Sequence, residues 1–133
     1  MSRRSRWTAR VPSVTLLAAA ALLGACDRQK RPTEREQLVA GGDHKLGKEL
    51  FARYGCVSCH TIPRVAGAHG KVGPTLAKWS QRRFVAGVAP NDPETLVHFI
   101  QDPQSVAPGT AMPNVGVTER HARHMAAYLY KLH

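Results

Sequence analysis

The chain has 133 residues, which suits one domain of ordinary size and makes a two-domain enzyme a poor fit. Lys and Arg outnumber Asp and Glu by 19 to 9, and the three cysteines are an odd number that cannot all pair within the chain. Apolar residues make up 43% of the sequence but form no series of runs of about 20 residues. The composition therefore excludes a polytopic membrane protein and a disulfide-stapled miniprotein.

Residues 1–25 have the pattern of an export signal. Four arginines between positions 3 and 10 precede an apolar stretch from Val14 to Leu23. Ten helical residues at about 1.5 Å each cannot cross a hydrocarbon layer of about 30 Å. We therefore predict a cleaved signal peptide. The pair Arg3–Arg4 also resembles a twin-arginine signal, so the sequence leaves the export route open.

The end of this signal, residues 23–26 (Leu-Gly-Ala-Cys), resembles the lipobox of bacterial lipoproteins. Ordinary signal-peptidase cleavage would require a small residue where Leu23 stands, so lipidation of Cys26 is the favoured prediction. Several acyl chains on one residue form a stable anchor, whereas one chain alone holds a protein only marginally. In the lipoprotein family, an aspartate directly after the acylated cysteine, as Asp27 is here, resembles a signal for retention in the inner membrane.

A polar segment separates this cysteine from the rest of the chain. Residues 26–42 carry charges of both signs around Pro32 and end in Gly41-Gly42. Such a segment is predicted to be a flexible tether with a reach of about 20–25 Å. The functional domain is then expected to comprise residues 43–133.

Three helices are predicted in that domain from their capping residues. The first begins after Asp43 and ends at Gly55, the second begins after Asp92 and is stopped by Asp102-Pro103, and the last begins after Thr118. Their apolar positions recur at spacings of three and four residues: Leu46, Leu50 and Tyr54; Leu96, Phe99 and Ile100; Ala122, Met125, Ala126, Leu129 and Leu132. No alternating strand pattern of useful length is present. An all-α fold with long Gly- and Pro-rich loops is expected.

The strongest motif is Cys56-Val57-Ser58-Cys59-His60, the C-x-x-C-H attachment sequence for c-type haem. Two thiols at this spacing can reach the two vinyl groups on one side of a porphyrin and form thioethers. The adjacent His60 then lies beneath the iron as proximal ligand, with its second ring nitrogen donating to a backbone carbonyl. Cys26, Cys56 and Cys59 are thereby all accounted for.

Two other interpretations of the motif find no support in the surrounding sequence. A thioredoxin-like dithiol would require a βαβ setting, and a zinc site would require a second Cys/His pair at finger-like spacing. Five of the other histidines are expected to be solvated, on helix faces or helix ends: His44, His98, His121, His124 and His133.

The sixth iron ligand has several candidates. Met112 lies between prolines in the loop segment 108–113, where no helical face offers it a packing role, and it is the favoured ligand. Met125 falls on the apolar stripe of the last helix and is expected in the core. His69 and His98 are the bis-histidine alternatives, and an open site is the third. Methionine ligation would give a comparatively high reduction potential.

The order of these features resembles that of the class I cytochromes c over residues 42–132. By that family's pattern, the carbonyl of Pro74, in Val72-Gly73-Pro74, accepts from His60, and Gly47 marks a close crossing of the first and last helices near Tyr128. The resemblance implies a small cytochrome c fold, with three to five helices around one covalent haem c. Contacts expected for that haem, each equally suited to a peptide-only core, are Phe51, Leu76, Trp79 and Phe84.

Segments 91–103 and 109–113 further resemble the cytochrome c domain fused to subunit II of haem-copper oxidases. Unlike that subunit, this chain has no copper-binding segment, so it is not expected to be the subunit itself, and a detached donor domain is one interpretation. Together with the predicted lipid anchor, the resemblance implies a membrane-anchored, monomeric carrier of single electrons in a periplasmic or cell-surface respiratory chain, held on the periplasmic side of the inner membrane. With both iron positions filled by protein, it is not expected to be an enzyme. Its partners would be a terminal oxidase or a quinol–cytochrome c reductase.

Two functional alternatives remain open. A haem sensor or peroxidase would need an open sixth position, and a cytochrome partner of a periplasmic dehydrogenase would perform the same electron chemistry with another donor. Removal of the signal would leave a net charge of +6, which suits an acidic docking patch. Nucleic acid is not expected as a partner because no recognition motif accompanies the charge.

Overall fold

The computed structural model describes residues 39–133, so the predicted signal peptide, Cys26 and most of the predicted tether lie outside the described residues. Four α-helices are present within that range: α1 (His44–Arg53), α2 (Pro93–Gln101), α3 (Pro103–Val106) and α4 (Glu119–Leu129). Two 3₁₀ turns occupy Cys56–Ser58 and Trp79–Gln81, and two antiparallel two-residue strands are β1 (Phe84–Val85) and β2 (Ala89–Pro90). The predicted helical fold with long loops is confirmed, with the addition of one small hairpin.

The three predicted N-caps all form. Asp43 accepts from the amides of the first turn of α1, Asp92 accepts from Thr95 at the start of α2, and Thr118 accepts from His121 at the start of α4. Each such bond satisfies an amide that has no partner within its own helix. The predicted starts of these helices are therefore confirmed.

Two boundaries differ from the prediction. Pro103 stops α2 as expected, but it also begins α3, because a proline at the first helical position gives up only an amide that needs no intrahelical partner. Leu132 lies beyond the end of α4, although the apolar spacing places it on that helix, and it is buried all the same.

The first and last helices cross in close contact at Gly47. A Cβ atom placed there would lie 1.9 Å from the carbonyl oxygen of His124, so only glycine fits. One turn further along α1, the ring of Phe51 packs against that of Tyr128 with centroids 5.7 Å apart. The Tyr128 hydroxyl donates to the carbonyl of Pro63 at 2.6 Å, which ties the loop after the cysteine motif to α4.

Helix α2 is fastened to α4 by charge as well as by apolar packing. The guanidinium of Arg123 lies 2.9 Å from Glu94 of α2 and 2.9 Å from Glu119 of its own helix. These contacts lower the pKa of Glu94 below its ordinary value, with the hydrogen bond from Arg123 as the main cause. An ion pair therefore joins α2 to α4.

Packing extends towards the N terminus beyond Asp43. Val39 is buried, with 5% of its surface exposed, and its carbonyl accepts from the amide of Gly42 at 2.9 Å. A Cβ on Gly42 would lie 2.7 Å from that of Ala127, so this short segment rests on α4. Within residues 39–133, no helix is both long enough and apolar enough to cross a membrane.

Candidate cofactor site

The helices and loops enclose a cavity of about 460 Å³. Most of its lining is apolar, and it includes the four predicted haem contacts, Phe51, Leu76, Trp79 and Phe84, together with Leu96, Phe99, Ile100 and Leu129. The predicted site residues Cys56, Cys59, His60, Pro74 and Met112 line the same cavity. The fold therefore brings the cysteine motif and the loop that carries Met112, which are far apart in the sequence, to the same apolar cavity.

The cysteine motif forms a tight turn at the end of α1. Gly55 adopts a left-handed conformation with φ of 73°, which ends the helix and starts the 3₁₀ turn at Cys56. The carbonyl of Cys56 then accepts from the amides of Cys59 at 3.3 Å and His60 at 2.9 Å. Both thiols are free and half-buried against the cavity, and burial raises the pKa of the Cys56 thiol.

The imidazole of His60 is held from behind by the backbone of residues 73 and 74. Its Nδ1 lies 2.8 Å from the carbonyl oxygen of Pro74, which makes Nδ1 the donor and leaves Nε2 with a free lone pair. The amide of Gly73 donates to the carbonyl of Cys59 at 2.8 Å, and a Cβ on Gly73 would lie 2.4 Å from Cε1 of His60. The backbone at Gly73 thus passes flat against the ring.

The candidates for a sixth ligand are separated by their positions. Met112 is half-buried in the loop after α3 and lines the cavity. Met125 is buried in the core, with 1% of its surface exposed, and it also reaches the cavity wall. His69 and His98 are exposed and lie outside the lining. The structure thus brings thioethers, and neither alternative histidine, to the cavity that His60 lines.

One end of the cavity carries the polar groups of Trp79 and Arg82, a pair that the sequence pattern does not predict. The indole N–H of Trp79 is buried and has no hydrogen-bond partner within residues 39–133. The Arg82 guanidinium lies 4.7 Å from the Trp79 ring centroid and donates to the carbonyls of Thr75 and Ala77. Burial lowers the pKa of Arg82. An orphaned donor beside a cation suits a carboxylate brought in by a ligand.

These features fit a haem. The flat apolar face of haem would pack against the apolar lining, and its two vinyl groups would react with the two thiols. Its iron would bind Nε2 of His60, and its carboxylates would bond to Trp79 and Arg82. A buried donor without an acceptor costs about 1–3 kcal/mol, so the indole N–H is best explained by an acceptor that the bound group supplies.

Two histidines differ from the sequence-based expectation. His121 and His124 were expected on a solvated face, but both are half-buried between α1 and α4. Nδ1 of His121 lies 2.7 Å from the hydroxyl of Tyr54, and Nδ1 of His124 accepts from the amide of Asp43 at 2.9 Å. The prediction was wrong because the tight crossing of α1 and α4 brings polar positions of α4 against the ends of α1.

Two amide side chains near the site were missed. Asn91 donates to the carbonyls of Trp79 at 3.2 Å and Arg82 at 3.0 Å, and so fixes the segment that carries the polar end. Gln104 of α3 bonds to the loop that carries Met112. The sequence pattern could not predict either contact, because each side chain bonds to loop backbone whose position depends on the tertiary fold.

Comparisons with known proteins agree with this site. The family model described as cytochrome c matches residues 44–133. The cytochrome c oxidase subunit 2 of Alkalihalophilus pseudofirmus is 32% identical over 87 residues, covering 65% of this chain and 25% of that protein. The corresponding subunit of Bacillus subtilis is 37% identical over 70 residues, covering 51% of this chain and 20% of that protein. A cytochrome c of Gibberella zeae is 31% identical over 105 residues, covering 68% of this chain and 95% of that protein.

No solved structure gave a significant match. The chain spans a quarter or less of the two oxidase subunits and nearly the whole of the Gibberella protein. The region that the family model matches contains the cysteine motif, the cavity wall and the methionine loop described above. The chain belongs to the cytochrome c family, whose members are haem electron carriers with covalently bound haem c and its iron.

Proposed function

We propose that this protein is a membrane-anchored monohaem carrier that passes single electrons in a respiratory chain outside the cytoplasm, and that it is not an enzyme. In this proposal Cys56 and Cys59 would attach the haem, and His60 and Met112 would bind its iron. The observation that carries the proposal is that all four residues line one apolar cavity. When bound, the haem supplies a reversible one-electron couple.

The protein residues determine what that couple can do. The Pro74 carbonyl fixes the tautomer and orientation of His60, while the apolar lining excludes water. If His60 and Met112 both bound the iron, no position on it would remain for a small molecule. Electron exchange would then be the remaining chemistry, which supports a carrier over a peroxidase or sensor.

An optical spectrum of the native protein tests this assignment. We expect a low-spin c-type pattern and, in the ferric state, the weak red-end band of methionine-to-iron charge transfer. Met112→Ala should abolish that band, whereas Met125→Leu should keep it. Loss of the band in Met125→Leu alone would transfer the ligand role to the helix residue. A wild-type spectrum without the band would reject methionine ligation.

Carbon monoxide distinguishes the carrier from its main alternative. Reduced wild-type protein at neutral pH should bind carbon monoxide slowly or not at all, because Met112 occupies the sixth position. The Met112→Ala variant should bind it readily and serves as the positive control. Rapid binding by the wild type would favour the sensor or peroxidase alternative.

We further propose that Cys26 anchors the protein to the periplasmic face of the inner membrane. The predicted tether 26–42 then ends before Val39, because Val39 is buried and Gly42 packs on α4. Support comes from the lipobox-like sequence and the charged segment after it. Mass spectrometry of the mature N terminus should show acyl mass on Cys26, and Cys26→Ser should release the protein into the soluble fraction. A free, unmodified cysteine at the mature terminus would reject the anchor.

The proposed partners are a terminal oxidase and a quinol–cytochrome c reductase. The likeness to two oxidase subunits supports the first, since a domain similar to this chain is part of those proteins. Purified, reduced protein should be oxidised by membranes that contain a haem-copper oxidase, and the reaction should stop with cyanide. Failure in oxidase-containing membranes, with transfer from a periplasmic dehydrogenase instead, would favour the dehydrogenase-partner alternative.

A further inference from the structure

The loop that carries Met112 is held by one side chain of the short helix α3. The Oε1 atom of Gln104 accepts from the amide of Gly109 at 3.0 Å. Its Nε2 atom donates to the carbonyl oxygen of Thr110 at 2.5 Å. Both halves of the side-chain amide are therefore used, and both on the backbone just before Met112.

A second bond carries this restraint to the methionine itself. The amide of Met112 donates to the hydroxyl of Thr110 at 3.3 Å, and the amide of Thr110 donates to the carbonyl of Ala107 at 3.0 Å. Gly109 lies in the left-handed region with φ of 83°, so the loop turns sharply between α3 and Met112. The position of Met112 thus depends on a chain of polar contacts that starts at Gln104.

Few buried side chains restrain the loop between α3 and α4. Pro108, Gly109 and Ala111 are exposed, and the next buried position after Ala107 is Val117. An exposed loop with few apolar contacts is the kind of segment that opens locally at low free-energy cost. Removing a hydrogen-bond clamp from such a segment should change how often it opens more than how stably the whole domain folds.

We propose that Gln104 is a positioning residue that keeps the loop 108–113 closed and thereby sets how readily an external ligand can displace Met112. The inference rests on the proposed role of Met112 as axial ligand. Gln104 does not itself line the cavity, and it acts only through the backbone of Gly109 and of Thr110, of which Thr110 is a lining residue.

Imidazole binding to the ferric holoprotein provides the first measurement. Because one net hydrogen bond is worth a factor of about 2 to 12 in an equilibrium constant, loss of two should raise the apparent affinity for imidazole about tenfold or more in Gln104→Ala. Ser105→Ala is the matched control, since Ser105 lies on the same short helix but bonds to His98 and the Asp102 carbonyl. Its imidazole affinity should stay at the wild-type level.

The variant Gln104→Glu tests the polarity of the clamp. A carboxylate can still accept from Gly109 but places a negative charge against the carbonyl of Thr110, so imidazole affinity should rise at neutral pH. Protonation of the introduced carboxyl restores a donor. The ratio of the variant's imidazole affinity to that of the wild type at the same pH, in which protonation of imidazole itself cancels, should therefore fall towards one as the pH falls through the titration range of that group, about 4–5. Simple loss of helix α3 would not produce this pH profile.

Hydrogen exchange distinguishes failure of this inference from failure of the proposed ligation. The amide of Gly109 should exchange faster in Gln104→Ala than in the wild type, whether or not Met112 binds iron. If the wild type lacks the red-end band, the ligand assignment fails. If the band is present but Gln104→Ala changes neither imidazole affinity nor Gly109 exchange, or if Ser105→Ala produces the same changes, the positioning role is overturned.

Discussion

The absence of a side chain at Gly73 lets the backbone pack directly against the imidazole ring of His60. A Cβ at this position would lie 2.4 Å from Cε1 of His60, closer than any ordinary contact. In Gly73→Ala the ring or the segment must move, and the bond from Nδ1 to Pro74 should weaken. We expect a loss of about 1–3 kcal/mol in the free energy of unfolding, as for overpacked cores, measured by denaturant titration.

Gly67→Ala is the comparison for that variant. Gly67 has a φ of 73° but no neighbouring atom within 4 Å, so alanine there costs only backbone strain, about 1 kcal/mol. The reduction potential and the His60 ring resonances should change in Gly73→Ala and stay unchanged in Gly67→Ala. Equal effects of the two substitutions would show that the contact with His60 is unimportant.

The surroundings of His121 predict a pH dependence of stability. Desolvation, followed by the charges of Arg53, Arg120 and His124, lowers the pKa of His121 below its ordinary 6.5. The unfolded chain therefore binds more protons here than the folded one. The stabilising contribution is present above about pH 6.5 and is lost as the pH falls through the folded-state pKa.

Denaturant midpoints between pH 7.5 and 5 measure this dependence. The carboxyls of Asp43 and Glu94 have lowered pKa values, so their contributions are lost only in more acidic solution, below this window. We expect the wild-type midpoint to fall with pH and the slope to become shallower in His121→Gln. A wild-type slope in His121→Gln would contradict the assignment.

At the scale of elements, the crossing of α1 and α4 depends on Gly47. Alanine at this position would place its Cβ 1.9 Å from the His124 carbonyl, which is backbone and cannot rotate away. The helices must separate, and we expect Gly47→Ala to lose about 3 kcal/mol or more in unfolding free energy, measured by denaturant titration. Lys48→Ala, on the exposed side of the same helix, should change it by about 0.5 kcal/mol or less.

Local chemistry explains which elements the sequence could predict. Caps such as Asp43 and Asp92 act within three residues of their own position, so their pattern is visible in the chain and the predicted helix starts are confirmed. The hairpin of β1 and β2 has only two residues on each strand, too few for an alternating pattern to appear. Helix α3 was missed because Pro103 signals both the end of one helix and the start of another.

The same division applies to the site as a whole. The cysteine motif is contiguous, and the position of Met112 between prolines is unusual enough to be noticed, so these groups could be named from the sequence. The polar end formed by Trp79 and Arg82 could not, because its function arises from an unpaired buried donor that only the folded chain reveals. The groups expected to bond to the cofactor could therefore be predicted better than the contacts that position it.

The charge distribution of the whole molecule predicts how it meets its partners. Six basic residues and no acidic residue lie between positions 50 and 91. This segment begins in α1 and contains the cysteine motif and the exposed cavity residues Val72 and Phe84. Lys71 is exposed and adjacent to Val72. An anionic oxidant should therefore be steered towards this face, with an attraction that salt screens over about 8–10 Å.

Ferricyanide and a tris-phenanthroline cobalt(III) complex are suitable probes of opposite charge. Oxidation of the reduced protein by ferricyanide should slow as ionic strength rises, while oxidation by the cobalt complex should accelerate. Lys71→Glu should reduce the low-salt ferricyanide rate about two- to tenfold. Lys131→Glu makes the same change in net charge after the end of α4, so a smaller effect there would show that the location of the charge matters. Equal effects of the two reversals would mean that net charge alone governs the encounter, and a local docking face for an acidic partner would then have no support.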